Sequence, residues 1–200
     1  MNCIEDYDHI APFMAAKFFV STHPIKTYGS ITNMGKSLLA LPLGRCSRHV
    51  QATVARMVFE EWRRDFARGE IMDPDACRDH FLGESPTGQM KCLYVVVGRP
   101  ADLRRGVRPR ACIIGTVAIT SKDFNLHISN LQVAPEYRRQ GIGRRILAFA
   151  EDRCRATGIS TTNLWGSEDL VEFYAREGWL PQDRVEMEPD MFVQTMVKLL

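Results

Sequence analysis

Leu131-Gln132-Val133-Ala134-Pro135-Glu136-Tyr137-Arg138-Arg139-Gln140-Gly141-Ile142-Gly143-Arg144 is the stretch on which the reading of this chain turns. Apolar alternation up to Val133 reads as a strand, and the amphipathic run after Gly143 reads as a helix. Between them lies a short loop with two glycines and an excess of arginine. A helix start offers unpaired N–H groups and the positive end of the macrodipole, so it suits an anion. Gly141 and Gly143 put no Cβ in the way and leave φ unrestricted, while Arg138, Arg139, Arg144 and Arg145 add charge. The stretch reads as a cradle for a phosphate or pyrophosphate.

Three signatures compete for that cradle. A dinucleotide fold wants G-x-G-x-x-G, and Gly141-Ile142-Gly143-Arg144-Arg145-Ile146 lacks the third glycine. A P-loop wants a Lys-Ser/Thr pair, which is absent. Arg138-Arg139-Gln140-Gly141-Ile142-Gly143 matches R/Q-x-x-G-x-G/A, five residues after Val133. Downstream, Gly143, Leu147, Ala150 and Cys154 form a helical stripe, and Gly158 sits where a C-cap glycine belongs. Residues 159–165 read as a strand and 168–176 as a short helix, which carries Phe173-Tyr174-Ala175-Arg176-Glu177-Gly178-Trp179.

Together these residues resemble the GNAT acetyltransferase superfamily: the glycine loop is similar to its coenzyme A loop, and F-Y-x-x-x-G-[FYW] to the segment closing its cofactor site. The resemblance covers about residues 37–200, leaving 1–36 as an N-terminal extension. It implies an α/β fold with a mixed twisted sheet, helices on both faces, and splayed central strands forming an acyl-CoA cleft. It further implies that Leu131, Gln132 and Val133 pair with the pantetheine arm. Backbone amides of Arg138, Arg139, Gln140, Gly141, Ile142, Gly143 and Arg144 would hold the pyrophosphate. The Val133 amide would donate to the thioester carbonyl, and Tyr174 matches the tyrosine that protonates the leaving thiolate. The activity implied is direct transfer of acetyl from acetyl-CoA to a primary amine. Many members carry Glu just before the central-strand leucine. Here Asn130 stands there, so either water relays the proton to Glu60, Glu61 or another carboxylate, or the amine arrives already neutral, or His127 substitutes; the base is unassigned.

The remaining elements fit that order. Leu38–Leu43 reads as a strand. Ser47 reads as the N-cap of a helix with Val50, Val54, Met57, Val58 and Trp62 on one face. Met90–Val97, Ala111–Ile119, His127–Val133 and Met191–Leu199 read as further strands. A loop holding Arg99, Arg104, Arg105, Arg108 and Arg110 joins the first two of these.

Composition bounds the alternatives. Two hundred residues suit one domain, and a net charge of +2 argues against nucleic-acid binding by bulk electrostatics. The six cysteines are dispersed without metal-ligand spacing, so no metal is expected, and buried thiols point to a reducing, cytoplasmic setting. No segment reaches the ~20 apolar residues of a membrane helix. From His9 to Phe59 there is no acid, which is similar to an organelle transit peptide, although the acids at 5, 6 and 8 oppose that reading.

The acceptor is open to a small cationic amine, a lysine or a protein N-terminus. Asp183, Glu186, Glu188 and Asp190 read as a loop, and Glu60, Glu61, Asp65, Glu70, Asp73, Asp75 and Asp79 populate the first helical region. Together they form either a rim that attracts a cation or a solvated charged face. Leu164–Trp179 also resembles acetyltransferases of the actin N-terminus, whose acidic peptide would want a basic groove. The alternative function is an acyl-CoA-binding module without catalysis, and the protein is expected as a monomer or homodimer.

Overall fold

The computed structural model describes residues 29–33, 36–65, 73–82, 91–98, 112–122, 125–188 and 191–200. Its strands are β1 (Gly29–Asn33), β2 (Lys36–Pro42), β3 (Lys91–Gly98), β4 (Cys112–Lys122), β5 (Asn125–Val133), β6 (Thr161–Ser167), β7 (Leu180–Glu188) and β8 (Met191–Leu199). Its helices are α1 (Arg48–Asp65), α2 (Pro74–Leu82), α3 (Ile142–Arg155) and α4 (Val171–Arg176). The strands form one sheet in the order β1-β2-β3-β4-β5-β6-β8-β7. Neighbours are antiparallel except β5 and β6, whose parallel pairing needs the crossover that α3 supplies.

Period-two alternation divides the core between the two faces. On one face Leu93, Val95 and Ala118 meet Val54 and Val58 of α1 and Cys77 of α2. On the other, Val96, Val117, Ile119, Leu126, Ile128 and Leu164 meet Ile146, Leu147, Ala150 and Cys154 of α3. The mixed sheet with helices on both faces is the architecture expected. Ser47 does cap α1, its Oγ accepting from the Val50 amide at 3.4 Å.

Two strands escaped the sequence reading. β1 is five residues bounded by Gly29 and Asn33, too short to show alternation, and it lies within the stretch 1–36. β7 holds the acids read as a loop: Asp183, Glu186 and Glu188 stand on a strand at the sheet edge. Pro181 and two register shifts disguise it, and these are the devices by which edge strands resist further pairing. Residues 168–176 are likewise a 3-10 turn, Glu168–Leu170, followed by α4, rather than one helix. The arginines at 99–110, Glu70 and Asp190 lie outside the described residues, as does the segment 1–28. Among the described residues no helix is long and apolar enough to cross a membrane, and no cluster of His, Cys, Asp or Glu gathers as a metal site.

Candidate active site

The site begins where β5 and β6 part. Their pairing covers Leu126↔Thr162, His127↔Asn163 and Ile128↔Leu164 and then stops. β5 continues along β4 alone, with Thr116↔Gln132 and Gly115↔Val133, so residues 129–133 turn a backbone edge toward a gap. A bulge causes the divergence: the register shifts between Thr116 and Ala118, setting Asn130 and Leu131 against the single Val117. Asn130 sits at φ 50°, a left-handed conformation that Asn tolerates better than most residues, and its carbonyl accepts from Thr116 Oγ1 at 2.9 Å. The residue read as a missing base is therefore the one that shapes the strand.

Opposite the bulge, Gly115 permits a close approach that sequence reasoning missed. A Cβ there would lie 2.2 Å from the Gln132 carbonyl oxygen. An isolated glycine inside an apolar strand was the available signal.

Past Val133 the chain makes a 3-10 turn, Pro135–Tyr137, and enters the glycine loop. Arg139 at φ 59° and Gly141 at φ 71° are left-handed, and Gly141 is the N-cap of α3 without any side-chain cap. The amides of Ile142, Gly143 and Arg144 have no acceptor within the helix, and alternating handedness in the loop builds an anion-binding concavity. The two glycines do different work. A Cβ on Gly141 would meet nothing within 4 Å, so that glycine serves the backbone angle. Gly143 lies inside α3 with no positive φ; a Cβ there would touch Val133 Cγ2 at 3.7 Å and Phe173 Cζ at 3.8 Å. It marks the junction of β5, α3 and α4.

Two of the loop arginines are committed to the protein. Arg138 Nε donates to the Val133 carbonyl at 2.8 Å, and its Nη2 reaches Glu61 of α1 at 3.2 Å. Arg144 Nε pairs with Glu177 at 2.8 Å. Their side chains brace the cradle, and the exposed Arg139 and Gln140 stand at its rim.

Tyr174 is held from several sides. Helix α4 ends in a Schellman motif: the Trp179 amide donates to the Tyr174 carbonyl at 3.1 Å and the Gly178 amide to Ala175 at 3.0 Å, with Gly178 at φ 85°. The Tyr174 ring meets Phe173 and Trp179 edge-on, at centroid distances of 5.0 and 6.3 Å. Beneath it lies Gly166 of β6, where a Cβ would come within 2.9 Å of the ring. Trp179 Nε1 donates to the buried Glu151 at 2.8 Å, and Lys198 Nζ bonds the same carboxylate at 2.7 Å and the Glu177 carbonyl at 2.6 Å. Burial pushes the phenol up to about 12.

The structure thus brings together Leu131, Gln132, Val133, the 138–144 loop and α4. His127 stands in the paired part of β5, away from the gap.

Residues 108–200 match the family model described as "Acetyltransferase (GNAT) domain". No curated protein matches the chain. Among solved structures, spermidine N-acetyltransferase from Vibrio cholerae, in complex with CoA and spermine, is 14% identical with a TM-score of 0.60, covering 81% of this chain and 95% of that one. Escherichia coli ElaA is 13% identical with a TM-score of 0.57, covering 82% and 99%. A chain of the NatC complex bound to Gag peptide and CoA is 17% identical with a TM-score of 0.56, covering 82% and 98%. At these identities the likeness to the solved structures is one of fold. Residues 108–200 thus match a GNAT acetyltransferase domain, and the described chain has the fold of these structures.

Proposed function

We propose that this protein transfers the acetyl group of acetyl-CoA directly to a primary amine, with Tyr174 as the donor to the departing sulfur. The observation that carries this reading is the gap between β5 and β6, which opens beside the uncapped start of α3 and beneath Tyr174. The residues fit the cofactor. An extended pantetheine arm matches the open edge at 131–133, and the side-chain oxygen of Gln132 is buried with no hydrogen-bond partner among the described residues. A pyrophosphate matches the amides of Ile142, Gly143 and Arg144 at the uncapped start of α3, whereas the Arg138 amide, expected among its donors, is spent on the Pro135 carbonyl at 3.2 Å.

The chemistry follows from those positions. The neutral amine attacks the thioester carbonyl carbon, the C–S bond breaks, and the amine's surplus proton leaves through water. A phenol near 12 keeps its proton at neutral pH, while an ordinary thiol titrates near ~8.5. Full transfer from Tyr174 to the thiolate is therefore uphill. The phenol serves as a hydrogen-bond donor aimed at charge that develops in the transition state. Asn130 cannot act as a base, so the proton path runs through water. Glu61 is held near the same strand end by its bond to Arg138.

A panel of cationic amines, amino sugars and peptides, assayed for acetyl-CoA-dependent thiol release, tests the proposal. Turnover with at least one primary amine is expected. Acetyl-CoA binding without thiol release on any of them would favour a non-catalytic acyl-CoA-binding module.

A further inference from the structure

Resting on that transfer reading, we propose that Trp165 is the acceptor-recognising side chain, and that its acceptor is an alkyl amine bearing a second positive charge. Trp165 is the first residue of β6 past its last pairing with β5. Its neighbours fix its face. Leu164 is buried in the core under α3, and Gly166 lies against the Tyr174 ring. Alternation therefore sends Trp165 to the opposite face at the same level. Tyr174 flanks the gap on the cofactor side, and Trp165 flanks it on the other.

The cradle at the start of α3 lies on the Tyr174 side, so an amine that attacks the thioester directly must come through the gap from the Trp165 side. Trp165 is 42% exposed there. In register beside it come Thr195 of β8 and, one step along, Ser167, Val193 and the exposed Val185. Helices α1 and α2 pack farther along the sheet, over β3. An indole with aliphatic neighbours accommodates methylenes, and its π face attracts an ammonium.

Charge selects among alkyl amines. In this segment Glu168 pairs with Arg184 and Glu172 with Arg176, while Asp183 is an exposed acid outside these pairs. The Asp183 amide donates to Thr195 Oγ1 at 2.9 Å, and that hydroxyl donates back to the Asp183 carbonyl at 3.0 Å. Asp183 is thereby pinned two strands from Trp165, about 10 Å at the usual strand spacing. A second ammonium at that distance would meet the carboxylate while the reacting amine enters the gap.

Cadaverine and n-pentylamine, equal in chain length but differing in one charge, test this in steady-state thiol release at saturating acetyl-CoA. The diamine should have the lower KM. Trp165→Ala should raise KM for both amines about tenfold, within the range of an indole–cation contact, and Trp165→Phe should recover part of it. The acetyl-CoA Kd should not change, and kcat should stay within about twofold, since uniform binding alone is lost. Asp183→Asn should raise KM for cadaverine only. An unchanged KM in Trp165→Ala, a weakened acetyl-CoA Kd instead, or equal effects of Asp183→Asn on both amines would overturn the proposal. If the parent binds acetyl-CoA but acetylates neither amine, the transfer reading fails for them. Calorimetry of cadaverine with the CoA-saturated protein then decides for Trp165: binding lost in Trp165→Ala upholds it, and no binding to the parent overturns it.

Discussion

Replacing Gly166 by alanine should test whether Tyr174 acts through its position. The added Cβ would lie 2.9 Å from Tyr174 Cε2 and 3.3 Å from Cδ2. Ordinary contact between carbons is about 3.5–4.0 Å, so the ring must retreat by roughly 0.6–1 Å. Tyr174 is 5% exposed and is backed by Trp179, which is itself tied to Glu151, so the retreat is not free. Overpacking of this kind costs about 1–3 kcal/mol, or about 2–12 °C in Tm for a chain of this size. A displacement approaching 1 Å at a reacting centre can cost about a hundredfold in rate, so kcat should fall by about ten- to a hundredfold. The acetyl-CoA Kd should stay within about threefold, because the amides of the cradle are untouched. Stopped-flow or plate assays of thiol release, calorimetry with acetyl-CoA and thermal unfolding supply the three readouts. In a Tyr174→Phe background the same alanine should cost little further in kcat, since the hydroxyl it displaces is gone. A Gly166→Ala protein with lowered Tm and parental kcat would refute the role of Tyr174. Parental Tm and kcat together would refute the wedge itself.

Three further outcomes are expected. Tyr174→Phe alone should keep acetyl-CoA affinity and lose turnover near the low end of ~10²- to 10⁴-fold, because coenzyme A is a tolerable leaving group; equal turnover would make Tyr174 a packing residue. Gly141→Asp should abolish acetyl-CoA binding by calorimetry, while Gly141→Asn, equally tolerant of the left-handed angle, should retain more of it; equal losses would remove the anion from the argument. Stability should decline in alkali. Burial raises Cys77 and Cys154 from 9.0 to about 11 and Tyr174 from 10.0 to about 12. Between those values the unfolded chain sheds protons that the folded one keeps, so stability is full below pH 9 and falls as pH climbs through 11 to 12. A flat Tm from pH 8 to 11 would contradict this.

Sequence patterns carried much of the fold because the decisive signals were local. The strand-loop-helix at 131–155, the C-cap glycines at 158 and 178 and the Phe173-Tyr174 pair each read from a few adjacent residues. What stayed hidden depends on pairing between distant segments. β7 looks like a charged loop until β8 lies beside it, and Pro181 and the bulges belong to its edge position. Asn130 reads as an absence until the bulge shows that its φ is the point. Gly115 and Gly166 matter only through what lies across from them, a carbonyl on β5 and a ring on α4. The arginines drew attention as charge, yet Arg138 and Arg144 are held by Glu61 and Glu177, one of them 77 residues away in sequence.

The recognisable motifs all fall within residues 108–200, but the physical object does not begin there. Strand β4, eleven residues long, is paired by β3 from Cys112 to Thr120 and covered on one face by α1 and α2, all of which precede residue 108. Cut away, they would leave β4 as a long bare margin with Ile113 and Ala118 uncovered, a template for self-association. Among the described residues, the stretch before 108 supplies three strands and two helices to that end of the sheet. The stretch that the family model leaves out is thus what keeps the margin of β4 covered.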